Sequence, residues 1–160
     1  MKQWALRGAS IFMILGYVLV FLQEKLNSFG MYSMTVWEYA QQRINLIPLT
    51  SIWYYIQRLQ DHKINADICW RFFLLATLCG CPLGIILPTF FTSCRKPGRF
   101  TLTTVLLLFA KETADLLLKI GSFDVDSVLL SLIGAWIGYL IYQAVQHISL
   151  RSPLPQAEIL

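Results

Sequence analysis

The stretch FTLTTVLLLFAKETADLLLKI, Phe100 to Ile120, is long and apolar enough to cross a bilayer, yet it carries Lys111, Glu112 and Asp115 near its middle and Lys119 at its end. An ionisable residue at the centre of a span costs roughly 2.5–3.5 kcal/mol on insertion scales, while each Leu or Val returns only about 0.3–0.6 kcal/mol. Three central charges therefore outweigh about ten apolar residues. The segment is a stable span only if its charges pair with one another or face a polar interior made by other spans. At about 100° per residue, Lys111, Glu112, Asp115 and Lys119 fall within an arc of roughly 100°, and Thr104 and Thr101 continue the same stripe. Lys111 with Asp115, and Asp115 with Lys119, stand at i,i+4, so each carboxylate has a cation in reach and the face is formally neutral. Two readings follow: an ion-paired seam that registers helices in a bundle, or a polar site within the membrane.

Composition supports the membrane setting. Of the 160 residues 56% are hydrophobic and only 14% charged, with mean hydropathy +0.57, far from the roughly 25% charged content of soluble domains. That length holds about four spans of roughly 20 residues with short connections, so a single integral membrane domain over residues 1–160 is expected. The formal charge of +4 reads as a topology signal rather than a nucleic-acid footprint. Cys69, Cys79, Cys81 and Cys94 lack zinc-site spacing, and His62 and His147 stand alone, so no metal or cofactor is expected. Packing is the expected role of the first three cysteines. Cys94, beside Arg95 at a membrane edge, is a conceivable acylation site.

The predicted fold is all-α, a polytopic membrane helix bundle with about four transmembrane spans and an interfacial or re-entrant segment. Lys2 and Arg7 precede the apolar run Ala9 to Leu22, which lacks a small-residue cleavage site and reads as an uncleaved first span. From about Gln23 to Ala66, Trp37, Tyr39, Trp53, Tyr54 and Tyr55 alternate with Glu38, Gln41, Arg43 and Arg58, a pattern of the bilayer interface rather than of a clean span. Ile68 to Phe91 forms a second span, in which Pro82 predicts a kink and Gly80 and Gly84 a broken or closely packed helix. The basic loop of Arg95, Lys96 and Arg99 is placed in the cytoplasm by the positive-inside rule, and alternating spans put both termini there too. A turn at Gly121 to Asp126 leads to a fourth span, Val128 to Ile148, and the tail from Ser149 is expected to be loosely ordered. Ser127, Ser131, Gly134 and Gly138 line about 60° of that span, with Gly134 and Gly138 in GxxxG spacing. The third span, joined to it by a hairpin, is the expected packing partner.

Asn45-Leu46-Ile47-Pro48-Leu49, Cys81-Pro82-Leu83-Gly84 followed by Leu87-Pro88, Glu112 with Asp115, and Phe123-Asp124-Val125-Asp126-Ser127 leading into Ile133-Gly134-Ala135-Trp136-Ile137-Gly138-Tyr139 together resemble the VanZ-like membrane proteins, over about residues 40 to 142. The chain diverges from that pattern at Asp115, Ser127, Ser131 and Ala76, where the family usually carries glutamine, aspartate, asparagine and asparagine. The resemblance implies a bacterial cytoplasmic (inner) membrane protein linked to resistance against lipid-tailed glycopeptides such as teicoplanin. It maps the family's recurrent polar positions onto Asn45, Glu112, Asp124 and Asp126.

The candidate binding residues are thus Asn45, Lys111, Glu112, Asp115, Lys119, Asp124 and Asp126, with Ser131, Gly134 and Gly138 for helix packing. One function class is a non-enzymatic envelope protein that binds a membrane lipid headgroup, a lipid-linked cell-wall precursor or a lipoglycopeptide. Another is an intramembrane enzyme on a lipid-linked substrate, with Glu112 or Asp115 as general acid or base. That second class lacks a nucleophile–base pair, a two-histidine metal spacing and a glycine-rich phosphate loop. A small transport or assembly subunit is the third.

Overall fold

The computed structural model describes residues 34–151 together with Gly8, Ile11, Phe12, Leu15, Gly16 and Leu19. Those six residues are helical and exposed; the rest of the expected first span, Lys2, Arg7 and the tail beyond Arg151 lie outside the described residues. Among the described residues the chain forms α1 (Val36–Arg43), β1 (Ile44–Asn45), α2 (Thr50–Gln60), α3 (Ala66–Phe90), a 3-10 turn (Thr92–Arg95), α4 (Pro97–Leu117), β2 (Phe123–Asp124) and α5 (Val125–Arg151). The protein is mostly helical, and α3 and α5, the latter over Val125–Ile148, are long and apolar enough to cross a membrane. The helix α4 falls short of that standard because Lys111, Glu112 and Asp115 interrupt its apolar run.

The most extensive helix pairing joins α3 to α5, not α4 to α5 as the hairpin connection predicts. The reason lies in four glycines. A Cβ on Gly134 would overlap the Thr77 carbonyl oxygen, and one on Gly138 that of Cys81; reciprocally, Gly80 lies against the Ser131 carbonyl and Gly84 against that of Ala135. Two GxxxG rows, one on each helix, therefore face each other, and the backbones approach within Cα–H···O distance, a contact worth about 0.5–1 kcal/mol each. Ser131 adds a hydrogen bond, donating from Oγ to the Ala76 carbonyl at 2.8 Å. The helix α3 runs unbroken through Pro82 and Pro88, so of the two expected forms, broken or closely packed, it takes the second.

Pro97 at the first turn, where its missing N–H is no loss, starts α4 three residues earlier than the expected span. The N-terminal half of α4 meets the seam through stacked aromatics. Phe100 lies flat on Tyr139 at 4.4 Å and edge-on to Trp136 at 5.7 Å, and the cluster closes over Leu87, Ala135 and Cys94. Burial of Cys94 removes it as an acylation site. The Tyr139 hydroxyl, buried with its ring, donates to the Arg95 carbonyl and ties the basic loop to α5.

Among its described residues, 34–65, the segment between the expected first and second spans holds two short helices and a strand. The helix α1 opens with a capping box in which Glu38 N–H donates to the Thr35 hydroxyl and Thr35 N–H to the Glu38 carboxylate. Its one buried side chain, Tyr39, donates to the Gly121 carbonyl at 2.9 Å. Beyond it, β1 pairs in parallel with β2, Ile44 opposite Phe123 and Asn45 opposite Asp124. An all-α reading contains no such bridge, and it fastens the early chain to the start of α5.

Candidate functional site

Leu108, Glu112, Asp115 and Leu116 continue the buried face of α4 begun by Phe100 and Thr104. The spacing of three and four keeps them on one stripe, so burial of the carboxylates follows from burial of their apolar neighbours. Lys111 Nζ sits 2.7 Å from Glu112 Oε1 and 3.3 Å from Asp115 Oδ2. The i,i+4 pair with Asp115 is the expected one, and the flexible lysine stem also brings in its neighbour Glu112. The carboxylate side chains are only 6% and 3% exposed, whereas the lysine is 25% exposed and forms the open side of the triad. By helical rise Lys111 lies about 9 Å from the C-terminal end of α4, so the charges occupy its last two turns rather than its middle. Thr104, two turns further in, is fully buried and its hydroxyl has no partner among the described residues.

A second polar cluster stands where β1, α2 and α5 meet. The helix α2 begins after Leu49, which holds the left-handed conformation at φ 68° and offers no side-chain cap. Asp126 of α5 supplies the cap from elsewhere in the chain. Its Oδ1 accepts from Leu49 N–H, and its Oδ2 from Ser51 N–H at 2.7 Å and Ile52 N–H at 3.1 Å. A carboxylate against the positive end of a helix is stabilised by both the N–H donors and the aligned dipoles. These bonds also hold Leu49 in a backbone region that costs a non-glycine residue about 1–2 kcal/mol. Asp124 Oδ1 accepts from Asp126 N–H at 3.0 Å and from Asn45 Nδ2 at 3.2 Å, while Asn45 Nδ2 also donates to Ser51 Oγ at 2.9 Å. Asn45, Asp124 and Asp126 therefore form one clasp, with Asp126 fully buried.

The sequence model of a family described as VanZ/LLP1 matches residues 8–146, most of the chain. The protein belongs to the VanZ/LLP1 family. No curated protein and no solved structure matches the chain. The VanZ/LLP1 match reaches further toward the N-terminus than the motif-bearing region at 40 to 142 and takes in the helical residues Ile11, Phe12, Leu15, Gly16 and Leu19. Together with the two apolar helices it supports a membrane protein.

In this VanZ/LLP1 chain the seven candidate binding residues thus fall into three places. Lys111, Glu112 and Asp115 form the triad on α4, and Asn45, Asp124 and Asp126 the clasp. Lys119 joins neither: α4 ends at Leu117, Lys119 turns left-handed at φ 55°, and its ammonium donates to the Met34 carbonyl near α1. The expected Asp115–Lys119 pair is therefore replaced, and the helix itself offers Lys111 as the cation between two carboxylates. Ser131, Gly134 and Gly138 lie on the α3–α5 seam. Sequence reasoning missed the backbone of Leu49, Ser51 and Ile52 as Asp126's partners. The available signal was a helix start at Thr50 preceded by Leu49, which has no capping atom. No group of three or more His, Cys, Asp or Glu among the described residues is arranged to hold a metal ion.

Proposed function

We propose that this VanZ/LLP1 member is a multi-pass protein of the bacterial cytoplasmic membrane that binds the polar head of an amphiphile at the α4 triad. The ligand class is a lipid headgroup, a lipid-linked cell-wall precursor or a lipid-tailed glycopeptide, and binding contributes to resistance of the teicoplanin type. The observation that carries this reading is the partly exposed Lys111 side chain, its ammonium held by two buried carboxylates in the last two turns of an apolar helix. Ionisable groups kept at such depth are costly and mark sites for polar ligands or ions. A lysine presented as a point charge suits a phosphate or carboxylate head, and the carboxylates suit an amine. In this reading α3, α4, α5 and the N-terminal helical residues make about four spans. Arg95, Lys96 and Arg99 mark the cytoplasmic face, and the clasp with the triad lies toward the other.

The test is Glu112→Gln, which keeps the shape of the side chain and leaves Asp115 to pair with Lys111. Protein level and melting should stay near wild type, while lipid retained through detergent purification and protection against a lipid-tailed glycopeptide are lost. Full protection at wild-type protein levels sinks the site and leaves the triad as a seam. Orientation is checked separately by cysteine labelling from outside, which should reach position 122 and miss position 93.

A further inference from the structure

The loop ahead of α2 joins two properties that rarely occur together. Its side chains are apolar and exposed, with Leu46, Ile47, Leu49 and Trp53 between 59% and 69% accessible. Its backbone N–H groups, in contrast, are satisfied from within. From Ile47 to Trp53 every N–H has an acceptor: Ile47 donates to Asn45 Oδ1, Leu49, Ser51 and Ile52 to Asp126, Thr50 to the Ile47 carbonyl and Trp53 to that of Leu49, while Pro48 has no N–H to satisfy. A loop in water has no need of such complete pairing, because solvent supplies partners at no cost. Irregular backbone in a bilayer does need it, since each orphan group there is penalised and nothing in the lipid replaces the missing bond.

The depth of this loop follows from the α3–α5 register. Gly80 meets Ser131 and Gly84 meets Ala135, while Gly134 meets Thr77 and Gly138 meets Cys81, so the two helices run parallel. That register sets Asp126 level with α3 residues 69–75, which lie 3–9 residues past Ala66, or about 5–14 Å along the helix from its start. The stacking of Tyr55 on Phe72 at 4.3 Å and the Cys69 thiol on the Tyr55 carbonyl place α2 at the same level. The polar residues Asp61, His62, Lys63, Asn65 and Asp67 gather at the other end of α2 and the start of α3. The Arg58 guanidinium there lies 4.9 Å from the Tyr54 ring, close to where lipid phosphates would complement it. On the side of the tip, the exposed Leu74, Leu75 and Leu78 of α3 continue the apolar surface.

We infer that residues 44–60 form a re-entrant hairpin: the chain enters the bilayer along β1, turns at Leu46–Leu49 within the acyl region, and returns to the surface along α2. Asp126 is its anchor, because its carboxylate satisfies the three N–H groups that the turn would otherwise carry unpaired into lipid. The occupant of the exposed apolar tip is lipid, in the leaflet that faces the triad. This inference rests on the membrane location of the reading above and is independent of its ligand.

The experiment uses the full chain in phosphatidylcholine vesicles with one tryptophan retained at a time, the other four replaced by Phe. Trp70, exposed on α3, is the reference for a lipid-facing span position, and Trp53 reports the re-entrant turn. Quenching of both by lipids brominated along the acyl chain, with Trp53 protected from aqueous iodide, is the expected result. Trp70 quenched by lipid with Trp53 open to iodide would overturn the hairpin and leave the membrane reading intact; iodide access at both would overturn the two together. Asp126→Ala should expose Trp53 to iodide while Trp70 keeps its lipid quenching. Unchanged Trp53 quenching in that variant would remove Asp126 as the anchor, and the wild-type comparison stands even if the variant does not fold.

Discussion

Along the α3–α5 seam the decisive contacts are backbone on backbone, made possible by the side chains that Gly80, Gly84, Gly134 and Gly138 lack. At the clasp the decisive contacts come from one side chain that is present, the Asp126 carboxylate, spread over three N–H groups. The seam therefore fails by addition and the clasp by removal. The α4 triad stands between them: it fails by loss of its one cation, Lys111, which two buried carboxylates share.

Gly134→Leu should produce the largest effect. A side chain directed at the Thr77 carbonyl meets backbone that cannot move aside, so a loss of more than about 4 kcal/mol, or no folded protein, is expected in thermal or denaturant unfolding in detergent. Wild-type melting would place the close approach elsewhere. Lys111→Met comes next, at about 3 kcal/mol, because two buried carboxylates lose a shared cation. Adding Glu112→Leu and Asp115→Leu together should recover much of that loss if the triad serves as a seam, since replacing buried paired charges with apolar groups is often nearly neutral. A triple variant as unstable as the single would show that the three residues do not act as a unit.

Asp126→Ala should cost about 1–3 kcal/mol in the same assay, with loss of amide protection confined to Leu49, Ser51 and Ile52 and their neighbours in α2. Protection unchanged at those amides would mean that α2 needs no cap from α5. The smallest effect belongs to Glu38. Hydrogen bonds from Thr35 N–H, then from its hydroxyl, then the charge of Lys119 hold this carboxyl below its ordinary value of 4.5. With the folded value depressed, the contribution is present above the unfolded value and disappears as pH falls through the folded one. Amide protection in α1, taken relative to the intrinsic exchange rate at each pH, should therefore fall on acidification below about pH 4.5, and Glu38→Gln should flatten that dependence. Equal pH dependence in the two proteins would exclude the capping box as its source.

The apolar helices are legible because a span announces itself by length and composition alone. Ile68–Phe91 and Val128–Ile148 match α3 and α5 to within three residues at each end. Partner choice is not legible in the same way: a glycine row says that some backbone comes close, without saying which, and chain adjacency favoured α4. The matching row at Gly80 and Gly84, with Pro82 between them, is the discriminating signal. Ala76 and Ser131 meet across that seam in a hydrogen bond. Lys119 was misplaced because periodicity carries a stripe past the true helix end, and Gly121 two residues on gave the stop. The clasp was legible only as a set of polar residues on one side. That an Asp in one helix caps another depends on tertiary proximity, which local capping rules do not contain.

The clasp also sets an order of manufacture. The donors at Leu49, Ser51 and Ile52 precede their acceptor by 74–77 residues, and Tyr39 precedes Gly121 by 82. At synthesis rates of about 5–20 residues per second, the first part of the chain waits some 4–15 s for Asp126 to be made. During that interval the N–H groups of Leu49, Ser51 and Ile52 lack the Asp126 carboxylate, and only the local bonds to Asn45, Ile47 and Leu49 can form. Closure of the clasp is thus a late event, timed by the arrival of α5.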